Sequence, residues 1–339
     1  MKYLMVFLLL LISFACSKKE KESAQVSANE IKTLGTVERI DPALDAIVKA
    51  DAQVEIIAEG FEWTEGPLWI EDQKALLFSD IPTNTIYKWT DEKGKETYLT
   101  PSGRTGSMPY GDEPGSNGLI LNNEGKLVLC QHGDRRVAIM DAPLTAPEPK
   151  YITLVDNYQG KKLNSPNDAV FNSQGELFIT DPPYGLPKKA DDPTKETPFQ
   201  GVYKARNGTL KLLTDSLTRP NGIALFPGEK TLLVANSDPE KAIWYAFDLS
   251  ENGVTNARIF YDATEAANTE KGLPDGLKID KQGNVFATGP GGVWIFNREG
   301  NVLGKIKISE LASNCALSPD EKTLYVTADA YLVRIHLRD

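Results

Sequence analysis

The sequence contains little cysteine and little histidine. Three cysteines and two histidines occur in 339 residues, and Cys16 lies in the N-terminal apolar segment. The other two, Cys130 and Cys315, can form at most one disulfide, which excludes a fold held together by several disulfides. They can pair with each other or remain as two buried thiols. A zinc site built from cysteine and histidine is disfavoured for the same reason.

The sequence also lacks clusters of basic residues and a long apolar run beyond its first residues. The formal net charge is −10, which argues against a nucleic-acid partner, because such binding requires neutralisation of phosphates. The apolar run at residues 3–12 follows Lys2 and is short for a membrane span.

The segment Ser13-Phe14-Ala15-Cys16 after this run resembles a bacterial lipoprotein cleavage site. We therefore predict a lipoprotein signal peptide over residues 1–16 that ends at lipidated Cys16. The polar residues 17–35 are predicted to form a disordered tether. The protein would then be attached to a membrane only through its lipid, in the bacterial cell envelope, facing the periplasm or the outer membrane.

A pattern of two short strands joined by a polar turn occurs six times. The copies begin at Glu65, Asn117, Asn167, Asn221, Asp275 and Asn314, most of them about 50 residues apart. The fifth copy consists of LKI, the turn DKQG and the apolar strand NVFAT. Further strand-like runs between copies, such as TIYKW and TYLT, bring the count to four short strands per repeat.

Four strands in a repeat of this length are typical of a β-propeller blade. We predict an all-β fold over residues 36–339, a six-bladed β-propeller with four-stranded blades. The last copy offers three strands before Asp339, whereas VEIIAEG at residues 54–60 is unused. This N-terminal strand is predicted to close the ring as the missing outer strand, because closure removes exposed sheet edges. A short helix is predicted in DPALDAIVKA, with Asp41 as its N-cap.

The first residue of each copy enters the innermost strand, so the six positions should meet at the mouth of the central channel. All six side chains are carboxylates or carboxamides. An Asn or Asp before Gly is common in turns, but turn preference does not explain Glu65. A ring of such oxygens without a cationic partner favours a bound cation. Ca²⁺ suits this set best, with Mg²⁺, Mn²⁺ and Zn²⁺ as alternatives.

Several of these motifs together resemble the SMP-30/gluconolactonase family of calcium-dependent lactonases. They are EGPLW, SPNDAVFNSQGELFITDPPYG, RPNGIALFPGEKTLLVANS and LPDGLKIDKQGNVFATGPGGVW. The resemblance implies a six-bladed propeller with one catalytic metal ion. It places the metal ligands at Glu65, Asn221 and Asp275, and it makes Asn167 a ligand or a substrate contact.

The activity that the resemblance implies is hydrolysis of a sugar lactone, such as gluconolactone, to the aldonic acid. The metal would polarise the lactone carbonyl, and Asp275 would act as catalytic base as well as ligand. A carboxylate bound to a dication is a weak base, so a metal-bound water or a second carboxylate could share this role. Substrate contacts are predicted at four residues, Asn117, His132, Asn167 and Asp181.

Two insertions rich in glycine and proline, at residues 100–116 and 184–200, flank the predicted site. Such loops commonly shape the entrance of a site. Two further interpretations fit the sequence. One is a related propeller hydrolase that acts on other lactones, organophosphates or aryl esters, and the other is a non-catalytic binding propeller.

Overall fold

Each predicted repeat forms one antiparallel sheet in the computed structural model, which describes residues 31–107 and 110–338. The predicted signal peptide with Cys16, and residues 17–30 of the predicted tether, lie outside the described residues. Among the described residues, no helix combines the length and apolar character needed to cross a membrane.

The first three blades follow the repeats in order. In each of them the chain enters at the innermost strand and proceeds strand by strand to the outer edge. The first blade contains β3 (Thr64–Ile70), β4 (Ala75–Asp80), β5 (Thr85–Thr90) and β6 (Gly94–Leu99). The second contains β7 (Ser116–Leu121), β8 (Leu127–Gln131), β9 (Arg136–Met140) and β10 (Tyr151–Val155). A two-stranded hairpin, β11 (Asn157–Tyr158) and β12 (Lys161–Lys162), precedes the third blade, which contains β13 (Ala169–Phe171), β14 (Leu177–Asp181), β15 (Gly201–Arg206) and β16 (Thr209–Thr214).

The last three blades complete the ring. The fourth contains β17 (Pro220–Leu225), β18 (Thr231–Asp238), β19 (Lys241–Ser250) and β20 (Gly253–Asp262). The fifth contains β21 (Leu277–Ile279), β22 (Val285–Gly289), β23 (Gly292–Phe296) and β24 (Val302–Ile308), with β1 (Gly35–Arg39) added at its outer edge. The sixth contains β25 (Ala312–Leu317), β26 (Thr323–Ala328) and β27 (Tyr331–His336), with β2 (Glu55–Glu59) as its outer strand. The predicted six-bladed propeller is confirmed.

Ring closure by an N-terminal strand is also confirmed. Strand β2 pairs antiparallel with β27, with Ile56 opposite Val333. Arg334 of β27 donates to the Glu55 carboxylate at 2.9 Å, so an ion pair accompanies the backbone ladder. The sequence did not predict β1, which pairs with β24 and ties the same N-terminal segment to the fifth blade.

Helical structure is sparse in the described residues. The predicted helix after Asp41 is a short 3₁₀ helix, Pro42–Ala46, and the Asp41 carboxylate accepts from the Ala43 N–H at 2.8 Å as its N-cap. Two more 3₁₀ turns (Glu71–Gln73 and Lys189–Asp191) and one α-helical turn (Thr264–Ala267) complete the set.

The hydrophobic core consists of six clusters, one at each blade-to-blade interface. Alternate residues of each strand face a neighbouring blade, as the period of two in a strand requires. Between the fourth and fifth blades, for example, Trp244 contacts Phe296 edge to face with ring centroids 5.4 Å apart. Cys130 and Cys315 are buried in two different clusters as free thiols.

Removing the closing strand is expected to destabilise the whole propeller. A chain that begins at Phe61 lacks β1, β2 and the fully buried Val54, so it exposes the edge of β27 and the core residues of the cluster that contains Val54. We expect a lower urea midpoint than in a matched control chain that begins at Ile31 and keeps both strands. Equal midpoints for the two truncated chains would contradict the closure role.

Candidate metal and substrate site

Five of the six repeat-opening residues line one cavity at an end of the central channel. They are Glu65, Asn117, Asn167, Asn221 and Asp275. The sixth, Asn314, lies beside them and donates from Nδ2 to Glu65 Oε2 at 3.1 Å. The structure therefore brings together every residue that the sequence proposed as a metal ligand.

Local irregularity turns these side chains into the channel. A break in strand register occurs at the site residue in the first, second, fourth and sixth blades, and such bulges re-aim side chains. In the third and fifth blades, Asn167 and Asp275 lie two residues before strands β13 and β21.

Glycines that follow the site residues allow neighbouring inner strands to approach closely. A Cβ atom on Gly222 would lie 2.2 Å from the Asp275 carbonyl oxygen, and one on Gly276 would lie 1.9 Å from Asn314 Cγ. The second strand of a blade then anchors the next site residue. Thr180 donates to the Asn221 carbonyl at 2.6 Å, and so links the third blade to the fourth. The Asn-Gly and Asp-Gly pairs thus serve packing around the channel.

Glu65 is almost completely buried, with 2% of its surface exposed. Its Oε2 accepts hydrogen bonds from the Gly66 N–H at 2.8 Å and from Asn314. Burial outweighs these bonds and raises the pKa of Glu65 to about 8. The Oδ1 atom of Asn314 is not available as a metal ligand, because it accepts hydrogen bonds from the Cys315 N–H and from Lys278. Asn314 supports Glu65 instead.

Three buried oxygens at the cavity have no hydrogen-bond donor among the described residues. They are Asn117 Oδ1, Asn221 Oδ1 and Asp275 Oδ1. Asp275 does share a side-chain hydrogen bond with Asn221, which leaves one oxygen of each side chain open. Buried oxygens without donors are costly, and hard cations prefer oxygen ligands of this kind. The donor set therefore fits a divalent cation.

The fit rests on amides as much as on carboxylates. Within residues 31–107 and 110–338, no group of three or more His, Cys, Asp or Glu side chains is arranged to hold a metal ion. Glu65 and Asp275 contribute the two carboxylates, and asparagine carbonyls supply the other oxygens. Such a set suits Ca²⁺, which accepts neutral carbonyl oxygens as ligands. It does not resemble the cysteine and histidine ligands of a typical zinc site.

The charges in the channel also favour a bound cation. Two of the charged residues, Asp168 and Lys278, were not predicted from the sequence. Asp168 is buried, and its negative charge raises the pKa values of Glu65 and Asp275, although burial is the larger cause for both. The positive charge of Lys278 acts on Glu65 and Asp168 in the opposite direction. When all four groups are ionised, the three carboxylates outnumber the ammonium group, and this excess of negative charge favours a bound cation.

A sequence signal for Asp168 did exist. Four repeats carry glycine directly after the first residue, whereas the third carries Asp168 and the sixth carries Cys315. Asp168 accepts from its neighbour Ala169 N–H at 2.9 Å and from Ile223 N–H of the next blade at 3.4 Å. The carboxylate in place of glycine therefore links the third blade to the fourth.

Two residues predicted to contact substrate do not line the cavity. Asp181 is fully buried and accepts from the N–H groups of Asn164 and Ser165 at 2.8 and 2.9 Å, so it holds the segment that leads to Asn167. Burial raises the pKa of Asp181 to about 7. His132 lies behind the cavity wall, with Nδ1 3.2 Å from Glu113 Oε2.

The two insertions supply part of the cavity wall, as their position in the sequence suggested. Glu113 comes from the first insertion, and Tyr184 and Lys189 come from the second. Burial raises the pKa of Tyr184 far above its ordinary range, so its hydroxyl stays protonated. The other lining residues, none of which the sequence analysis named, are Trp63, Arg219, Ser237 and Leu273.

The arrangement can bind a small polar molecule against a cation. The cavity is lined both by the oxygen-bearing side chains and by hydrogen-bond donors at Tyr184, Lys189 and Arg219. Small-molecule sites typically combine a concave surface with a few convergent polar groups. The cavity thus has the features of an active site for a polar substrate.

Comparison with known proteins identifies relatives of the whole propeller. The family model of the SMP-30/Gluconolactonase/LRE-like region matches residues 63–330. A gluconolactonase from Zymomonas mobilis is 38% identical over 326 residues, which cover 93% of this chain and 90% of that protein.

Solved structures resemble the chain over a similar extent. A gluconolactonase from Xanthomonas campestris has a TM-score of 0.76 at 27% identity, with 91% of this chain and 99% of that chain covered. Regucalcin from Agrobacterium tumefaciens, described as a calcium-binding protein, has a TM-score of 0.62 and covers 84% of this chain and 94% of its own. At 17% identity, this second likeness concerns the fold alone.

The buried carboxyl of Glu65 should make the stability of the metal-free protein depend on pH. Its pKa of about 8 in the folded protein exceeds the ordinary value of 4.5, so the folded state holds the proton more tightly than the unfolded chain. This contribution is neutral below about pH 4.5 and increasingly destabilises the fold as the pH rises through about 8. With a chelator present, we expect the free energy of unfolding to fall over that range, and to fall less in Glu65→Gln.

Urea unfolding near pH 5 and near pH 8 measures this difference. Glu62→Gln, an exposed carboxylate three residues earlier, is the matched control and should follow the parent protein. If Glu65→Gln lost as much stability with rising pH as the parent protein, the assignment of a buried, proton-holding Glu65 would be wrong.

Proposed function

This chain belongs to the SMP-30/gluconolactonase/LRE-like family and is a lactonase, and we propose that it opens a sugar lactone, such as gluconolactone, to the aldonic acid with one bound divalent cation. The observation that carries the proposal is the pair of buried oxygens without donors on Asn221 and Asp275, beside the buried Glu65. The sugar character of the substrate is supported by the gluconolactonase relatives and by the polar cavity wall.

The proposed cation is held by Glu65, Asn167, Asn221 and Asp275. Ca²⁺ is our first candidate, because two carboxylates with neutral amide oxygens form a hard ligand set. Mg²⁺, Mn²⁺ and Zn²⁺ are the alternatives that the experiment below compares.

The side chains around the cavity divide the remaining work. When bound, a divalent cation supplies Lewis-acid polarisation of a carbonyl oxygen. Asn117 offers an amide group to the sugar hydroxyls, and Tyr184 offers a hydroxyl that stays protonated. Arg219 can stabilise negative charge that develops on the substrate or product. Asp275 lies among the proposed oxygen ligands, so its loss would remove a ligand charge.

We also propose that the enzyme works in the bacterial cell envelope. The support is the N-terminal sequence, in which the apolar run and Ser13-Phe14-Ala15-Cys16 form a lipoprotein signal pattern. Lactone hydrolysis would then take place on sugars outside the cytoplasm.

Removal and replacement of the cation should switch the activity off and on. After treatment with a chelator, we expect hydrolysis of gluconolactone to fall at least about 100-fold and to return when one of the four cations is added, since loss of one such stabilising group typically costs that much. Glu65→Gln and Asp275→Asn should stay inactive after cation addition, and the exposed-site control Glu62→Gln should recover fully.

The measurement is the initial rate on a panel of sugar lactones, simple lactones, aryl esters and organophosphates, with each cation in turn. Activity restricted to the last three classes would replace the proposed substrate. Full activity in the chelated enzyme would remove the cation from the proposal.

A further inference from the structure

We propose that Glu113 is the carboxylate that accepts the proton from the attacking water, with His132 as its positioning residue. The inference rests on the proposed lactone hydrolysis and adds a catalytic group from the first insertion. Glu113 lines the same cavity as Glu65, Asn117 and Asp275, and its side chain remains about one-quarter exposed, at 25%. A proton acceptor needs such a position, open to the substrate and to water.

His132 has no other evident partner. Its ring is completely buried, and neither ring nitrogen has a hydrogen bond among the described residues. Nδ1 nevertheless lies 3.2 Å from Glu113 Oε2, a hydrogen-bonding distance without the alignment of a hydrogen bond. Catalytic hydrogen bonds are often poorly aligned before substrate binds and tighten in the complex. A small rotation of Glu113 would supply the missing bond to a buried polar ring.

The surrounding loops hold this pair in place. The His132 N–H donates to the Gly115 carbonyl of the first insertion at 3.2 Å. On the other side, Gly185 of the second insertion packs so tightly that an added Cβ would lie 2.8 Å from His132 Cβ. The two insertions also join each other, because the Gly111 N–H donates to the Gly185 carbonyl at 3.2 Å. His132 is therefore clamped between the two loops that form the cavity entrance.

Residues next to His132 fasten the same loops. Asp134 accepts from the Thr105 N–H at 3.0 Å and so anchors the first insertion. Arg135, which is buried, donates to the Thr194 carbonyl of the second insertion at 3.0 Å. The segment from His132 to Arg135 thus fixes both loops, and with them the position of Glu113, against the second blade.

A second carboxylate resolves a conflict in the role of Asp275. As a ligand of a dication, Asp275 would have its basicity lowered, whereas Glu113 is outside the proposed ligand set. In the proposed step, the water oxygen bonds to the lactone carbonyl carbon while one water proton moves to Glu113. The bond between that carbon and the ring oxygen then breaks, and its electron pair leaves with the ring oxygen. That oxygen takes the proton from Glu113, which yields the hydroxy acid.

Several ionisable groups surround Glu113. His132 faces it from the second blade, and Asp275 and Tyr184 interact with it electrostatically across the cavity. The remaining ionisable side chains of the cavity wall are Glu65, Lys189 and Arg219. A base that must be ionised produces a loss of kcat at low pH.

The test compares Glu113→Gln, His132→Gln and Asp112→Asn with the parent enzyme on gluconolactone, at saturating cation and across a range of pH. Spontaneous ring opening is subtracted. We expect Glu113→Gln to lower kcat about 100-fold or more, with KM nearly unchanged and without the acid limb of the pH profile. His132→Gln should lower kcat by less and shift that limb. Asp112→Asn, an exposed carboxylate next to Glu113, should match the parent enzyme.

Cation affinity, measured by calorimetry on the same proteins, separates the possible outcomes. The proposal requires Glu113→Gln to bind the cation as the parent enzyme does. It is overturned if kcat of Glu113→Gln stays within about threefold of the parent value, or if the variant loses the cation and Glu113 is thereby a ligand. A parent enzyme that binds the cation but opens no lactone would overturn the proposed function and this inference together. If His132→Gln does not fold, Glu113→Gln alone decides.

Discussion

Closure of the ring is the constraint on which the rest of this structure depends. The hydrogen bond from Asn314 to Glu65 joins residues 249 positions apart and connects the last blade to the first at the channel mouth. Ser313 makes a second link across the same junction, to the Thr64 carbonyl at 2.6 Å. Both depend on the sixth blade, whose outer strand comes from the N-terminal segment. The site exists only in the closed ring, because each blade contributes about one side chain to it.

The closed ring buries carboxyl groups, and burial destabilises their ionised forms. Glu65, Asp168 and Asp275 lie together with water largely excluded, and burial is the main reason that each has a raised pKa. Natural proteins retain such unfavourable groups mainly at functional sites. The burial of these carboxylates therefore supports the proposal that this is the site of lactone hydrolysis. The two insertions that contribute to the site are held by hydrogen bonds to Asp134 and from Arg135.

Periodicity explains how much of this the sequence could predict. Six copies of one pattern give the blade count, the closing strand and the residues that meet in the channel, because each follows from position within a repeat. Asp168 occupies a position where four repeats carry glycine, and Lys278 lies inside β21 rather than at a repeat-opening position. A comparison of the repeat-opening residues therefore does not reveal either of them. Glu113 lies in an insertion without any period, and only the fold shows that it reaches the cavity. Asn314 illustrates a subtler limit, since its repeat position equals that of the ligands but its hydrogen bonds are already used.

The central claim is that the channel mouth holds one divalent cation through Glu65 and Asp275. Equilibrium dialysis followed by elemental analysis counts bound cations directly, without reference to any substrate. The account predicts one cation per folded chain in the parent protein and almost none in the double variant Glu65→Gln/Asp275→Asn, with the fold of both verified by circular dichroism. A parent protein that binds no divalent cation, or a folded double variant that binds one as tightly as the parent, would contradict it.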